Sequence, residues 1–191
     1  MSVWYIRGMS SSQRWLMVIV QLPASPSRHR VAVWRELRRS GAVPLSPGTW
    51  VLPSTVTGHA AVEQARVLVA KGEGTAATFE IDPTDDATEV YVAGIFEQAR
   101  RDEWAEFMSE CAKFKTEIAK EIAIEKFTLA ELDEEEQSLA RLRRWRRDLM
   151  KRDTRGSESA EQAARELQTC EDDLEAYAEL VYAAVHVEDR P

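Results

Sequence analysis

Five arginines fall close together near the start of this sequence: Arg28, Arg30, Arg35, Arg38 and Arg39. A guanidinium is planar and offers two parallel N–H donors, which suits phosphate and other tetrahedral oxyanions. Arg35 stands three residues from Arg38 and four from Arg39, the spacing that puts side chains on one helix face. Glu36 is the only local compensation. The segment therefore reads as a candidate site for an anion or a DNA backbone. The competing reading pairs Arg28 and Arg30 with acidic helices elsewhere and leaves the other three solvated.

A second basic run lies between positions 141 and 155, with eight basic residues against Asp148 and Asp153. Arg143, Arg144, Arg147, Lys151 and Arg152 form its candidate patch. Acidic sequence flanks it on both sides: residues 102–139 hold twelve acidic and four basic residues, and residues 156–191 hold ten and two. A basic helix beside two acidic ones is ordinary interhelical pairing, worth little per pair where it is exposed. Glu131, Glu134, Glu135 and Glu136 make a carboxylate group around Asp133, but Glu131 has a sufficient local role as a capping residue.

Other chemistry finds little support. Cys111 and Cys170 form no CxxC, and the histidines at 29, 59 and 186 are scattered, so no zinc site is expected. Both cysteines lie on helix stripes and read as packing residues. No nucleophile elbow, P-loop or dinucleotide fingerprint occurs. The expectation is a non-enzymatic protein with no cofactor and no metal.

The chain has 191 residues, 44% hydrophobic and 30% charged, with a formal net charge of −8. That charge is unevenly placed: residues 1–71 carry +7 and the remainder −15. The first part attracts polyanions and the rest repels them. The apolar run from Leu16 to Val20 is far too short to span a membrane, and no signal peptide precedes it, so a cytoplasmic location is expected.

The elements that carry these residues follow from period and punctuation. Residues 14–22 are apolar on both faces, as a covered central strand would be, and Pro23 and Pro26 end the run. Ser27 is a candidate cap for a helix whose Val31, Trp34 and Leu37 make one stripe, with Gly41 at its end. Residues 42–45 and 49–52 form short strands around Ser46-Pro47-Gly48. A helix over 58–71 turns Ala61, Ala65, Leu68 and Val69 inward, and a strand covers 75–82. The order β-α-β-β-α-β is an α+β, ferredoxin-like domain over residues 13–83.

After a polar stretch at 83–89, a three-helix bundle is expected over 92–185. Phe96, Arg100, Trp104, Phe107, Cys111, Phe114, Ile118 and Ile122 form its first seam, stepping by four and three. Thr128 and Glu131 make a capping box, with Phe127 as a staple to Leu132. Leu132, Leu139, Leu142, Trp145 and Leu149 mark the second helix. The third carries Ala163, Leu167, Cys170, Leu174, Tyr177, Val181 and Val185, beyond a loop around Gly156. Residues 1–12 and 186–191 read as flexible termini. Trp15, Trp34, Trp104 and Trp145 read as core or interface; Trp50, after a Pro-Gly turn, is held open as a residue beside a cleft.

Two separated blocks of this sequence resemble one family. Leu22-Pro23, Ser27, Arg30, Trp34-Arg35, Leu37, Gly41-Ala42, Leu45 and Val51-Leu52-Pro53 resemble the N-terminal domain of ChrB, from bacterial chromate-resistance operons. So do Phe127 to Leu132, Glu134, Glu136, Leu139, Leu142-Arg143-Arg144-Trp145, Arg152-Asp153, Leu167, Cys170-Glu171 and Leu174. The first block also resembles the central domain of PaaX-type repressors, which is similar to the ferredoxin-like fold of small CRISPR-associated endonucleases. Those nucleases use an acidic residue at the end of the first strand, where Gln21-Leu22-Pro23 stands here, so nuclease activity is not expected.

The resemblance implies a chromate-responsive transcriptional regulator whose partners are a chromate- or sulfate-like oxyanion, operon DNA, or both. Full-length ChrB proteins carry a further C-terminal domain, and PaaX-type repressors bind DNA through an N-terminal winged helix that the residues before Gln13 are too few to form. An adaptor or dimerisation module without direct DNA binding is the alternative, with the heptad-like third helix as the homodimer seam.

Overall fold

The computed structural model describes residues 14–153 and 157–188. The expected flexible N-terminus (1–12), Arg155 and Gly156 of the expected loop, and residues 189–191 lie outside the described residues. Two compact units divide between Glu97 and Gln98.

The first unit runs β1 (Trp15–Gln21), α1 (Ser27–Arg39), β2 (Val43–Ser46), β3 (Thr49–Pro53), α2 (Val56–Lys71) and β4 (Thr75–Ile81). The strands form one antiparallel sheet in the order β2-β3-β1-β4, the ferredoxin-like topology expected from the sequence. Register places Leu16 opposite Leu52, and Val18 opposite Trp50 and Thr78. Side chains alternate faces along a strand, so Leu16, Val18, Trp50 and Leu52 share one face. There they pack with Val33 and Leu37 of α1 and Ala61, Val62, Ala65 and Val69 of α2. The opposite face carries Trp15, whose ring meets Phe96 edge-on at 5.5 Å.

Local chemistry sets the ends of these elements. Ser27 is not the cap of α1: Pro26 holds that position with no side-chain bond, and Ser27 is already helical. Thr55 caps α2, its hydroxyl accepting from the Gly58 amide at 3.0 Å. The β2–β3 turn depends on Gly48, at φ +79, where an added Cβ would stand 2.6 Å from the Val20 carbonyl oxygen. That approach is part of a clamp, because the Val20 amide donates to the Gly48 carbonyl at 2.7 Å.

The stripe expected on α1 is corrected. Val33 and Leu37 are buried, whereas Val31 is 41% and Trp34 52% exposed. Residues four apart stay nearly in line, while steps of three drift by about 60° each. Val31 and Leu37 therefore lie about 120° apart and cannot share a narrow core stripe.

α3 (Asp86–Ala123) begins within the expected polar stretch, where the Asp85 carboxylate accepts from the Thr88 amide at 2.7 Å. Its remainder forms the second unit with α4 (Leu129–Arg152) and α5 (Glu158–Glu188), an antiparallel three-helix bundle. Helix persists through Glu188, into the expected C-terminal tail. Trp104, Phe107, Cys111, Phe114 and Ile118 of α3 meet Leu132, Leu139, Leu142 and Leu149 of α4 and Leu167, Cys170, Leu174, Tyr177 and Val181 of α5. The α3 seam ends differently from expectation: Ile122 is exposed, and Glu121 takes the inward place with 1% exposure. Thr128 caps α4 through the Glu131 amide at 3.2 Å, and the Glu131 carboxylate turns to Lys126. Phe127 packs against the bundle core beside Tyr177.

Cys111 and Cys170 are free thiols, both fully buried, with the Cys170 thiol 3.5 Å from the Cys111 carbonyl oxygen. One end of the bundle is fixed by polar groups. The Trp104 indole N–H donates to Asp153 at 2.8 Å, and Asp153 also accepts from the Ser157 hydroxyl at 2.7 Å. Beside them Arg100 and Arg152 each meet Glu103 Oε1 at 3.1 Å, all three side chains being largely buried. Among the described residues no helix is long and apolar enough to cross a membrane.

Two stability measurements check these assignments. Asp153→Ala strands the buried indole N–H and should destabilise the bundle by about 2 kcal/mol in urea unfolding. Gly48→Ala forces a side chain onto the left-handed turn and the Val20 carbonyl, with an expected loss of about 1–2 kcal/mol or more. Changes near zero in either variant would contradict the geometry.

Candidate anion-binding face

The five arginines of α1 do not form one group. Burial of Val33 and Leu37 fixes the rotation of the helix, and at about 100° per residue the arginines fall into two arcs. Arg28, Arg35 and Arg39 lie within about 40° of one another, opposite Leu37. Arg30 and Arg38 flank Trp34 on the neighbouring arc, toward one edge of the buried face.

Each arc has its own chemistry. On the outer arc, Arg39 is held by Glu36 at 2.6 Å, and Arg28 Nε donates to the His29 ring at 3.3 Å. Arg35 is exposed and, among the described residues, makes no hydrogen bond or ion pair. On the inner arc the Arg38 guanidinium sits 5.9 Å from the Trp34 ring centroid, within cation–π range. Arg30 is also exposed and, among the described residues, has no hydrogen-bond or ion-pair partner.

Arg30 stands at a groove of about 570 Å³ walled by Leu22, Val31, Trp34, Gly48 and Trp50. The β2–β3 turn forms one of its walls, and the Gly48–Val20 clamp fixes that wall. Trp50, held open in the sequence reading as a residue beside a cleft, lines this groove while packing into the core. Trp34, expected in the core or at an interface, is not in the core and lines the groove from the exposed side. The signal that would have found this is the Val33–Leu37 pair, four apart, which the spacing-three stripe obscured.

The second basic patch is distributed differently. Arg143 pairs with Glu171 of α5 at 2.6 Å, and Arg152 with Glu103 of α3 at 3.1 Å. Lys151 pairs with Asp148 within its own helix at 2.8 Å. Arg144 and Arg147 are exposed and, among the described residues, make no hydrogen bond or ion pair. Two of the five candidates thus bridge to acidic helices. The carboxylates at 131–136 also part company: Glu131 meets Lys126, while Glu135 is buried.

Comparison with known proteins agrees with both halves of this architecture. Residues 30–188, spanning α1 to the end of α5, match the family described as protein ChrB, N-terminal. The protein ChrB of Cupriavidus metallidurans is 28% identical over 110 residues, covering 58% of this chain and 33% of that relative. The match thus spans about a third of the relative's length. With a single family match running from the arginine helix through all three bundle helices, the chain belongs to the ChrB N-terminal family.

Proposed function

We propose that this protein is a regulator of the chromate-resistance type, and that the outer arc of α1 is its contact with a DNA backbone. The observation that carries this reading is the state of Arg35: exposed, without an ion-pair partner among the described residues, and on the same arc as Arg28 and Arg39. Arg28 and Arg39 are eleven residues apart, about 16 Å along the helix. Donors spread over that length suit a polyanion. A single chromate ion would instead need several guanidiniums converging on one point, and Arg30 stands alone at its groove. The positive balance of residues 1–71 supports the same partner.

The reading is non-enzymatic. Family membership supports a place in chromate resistance, and the response to chromate is part of the proposal. The adaptor alternative, a dimer without DNA contact, rested on the α5 seam, whose Leu167, Cys170, Leu174, Tyr177 and Val181 pack inside the bundle core.

Fluorescence anisotropy with DNA from upstream of the protein's own gene tests the proposal. Binding should weaken steeply as salt rises, because each neutralised phosphate releases a counterion. The variant Arg28→Ala/Arg35→Ala should bind more weakly and lower the slope of log K against log salt by about 2. Retention that does not depend on salt, or an unchanged slope in the variant, would remove α1 from the interface.

A further inference from the structure

Glu135 of α4 is 7% exposed and, among the described residues, has no hydrogen bond and no ion pair. A carboxylate so enclosed and without a protein partner keeps only limited contact with water, which disfavours its charged form. Its surroundings make it worse. Glu117 and Glu121 of α3 and Glu131 and Glu134 of α4 all act on it with the same sign.

The nearby cations are committed elsewhere. Lys120 bonds Glu117 at 2.6 Å and Glu121 at 3.3 Å. Lys126 serves Glu131 and stands 3.6 Å from Glu121. Lys113 is held by Glu110, and Arg141 donates to the Ser138 hydroxyl at 2.8 Å. Burial, followed by the four neighbouring carboxylates, raises the pKa of Glu135 above its ordinary value.

Glu135 lines a groove of about 490 Å³ between α3 and α4. Its apolar wall is Phe114, Leu142 and Trp145, and Glu110, Glu117, Lys113 and Arg141 stand on the same lining. Besides hydration, two states relieve this carboxylate: it takes up a proton, or it receives a cation from outside. The groove provides for the second, with room and aromatic surface, and its three carboxylates outnumber the Lys113 and Arg141 that share the lining. Among the described residues no group of three or more His, Cys, Asp or Glu is arranged to hold a metal ion. The cation that fits is organic.

We propose that the α3–α4 groove is a binding site for a small organic ammonium ion, its charged head on Glu135 and its apolar body on Phe114, Leu142 and Trp145. The site is independent of the arginine helix and of the DNA reading. A ligand there would tie α3 to α4 and stabilise the bundle by mass action.

Benzylammonium is a suitable probe, with benzyl alcohol as its neutral counterpart, in calorimetric titrations of the full chain. At pH near 8 the wild type should bind benzylammonium saturably, and Glu135→Gln should weaken it at least about tenfold. Benzyl alcohol should not distinguish the two proteins. Affinity should fall as pH drops and the proton competes for the same carboxylate, beginning above the ordinary carboxylate range because burial raises the Glu135 pKa.

Thermal melting provides the second readout. A raised folded-state pKa means the protonated acid favours folding, an advantage complete at low pH and lost as Glu135 ionises. Glu135→Gln should therefore melt above wild type near pH 8, with the difference closing toward about pH 4. Absence of benzylammonium binding to the folded wild type, or equal affinity in the variant, overturns the proposal. A melting difference that does not vary with pH overturns it as well, since Glu135 would then not be a buried titrating acid.

Discussion

The first unit depends on β1 being covered twice. This strand pairs with β3 on one side and β4 on the other, and it is apolar on both faces. Its even-numbered residues, Leu16, Val18 and Val20, belong to the core under α1 and α2. Trp15 on the other face meets Phe96, near the start of α3. A slip of one residue in register would exchange the two faces and bring each set against the wrong partner. The α1 rotation is a consequence of the same constraint. With Val33 and Leu37 committed to the even face of β1, the arginines have only the outer arc and the groove edge left to occupy.

The bundle is specified by a different balance. Its apolar seams would permit small slides of one helix along another, because hydrophobic contact is not directional. Trp104 and Asp153 remove that freedom, as does Glu103 between Arg100 and Arg152. Buried ion pairs contribute little net stability once desolvation is counted, and register is the better-attested use for them. At the opposite end the Tyr177 hydroxyl donates to the Lys126 carbonyl at 2.6 Å, holding α5 to the α3–α4 connection. Polar pins at both ends thus set the lengths over which the seams match.

Much of this architecture was legible from period and punctuation. The strand and helix order, the Pro47-Gly48 turn, the Thr128 cap and most of the three bundle seams follow from spacing, because each helix buries one regular face and β1 buries both of its own. What failed was local. Val31, Trp34 and Leu37 look like a stripe at spacing three, yet the tighter Val33–Leu37 pair decides the rotation. Ser27 looks like a cap, but Pro26, with its fixed φ, already occupies that position. Glu121 and Glu135 escaped because a search for buried faces follows apolar residues, and nothing local marks a carboxylate as inward. The candidate face was legible as a set of arginines but not as two arcs, since the division depends on which pair of α1 residues meets the sheet.

Cys111 and Cys170 give the bundle a property that its packing alone would not. Neither sulfur reaches solvent, and each lies on a different helix of the seam. A reagent in the surrounding water can meet them only when α3 and α5 part, so their reaction rate is governed by how often that happens. The second unit thereby carries its own clock for transient opening, readable in the unmodified chain, while the first unit has no cysteine and stays silent in the same experiment.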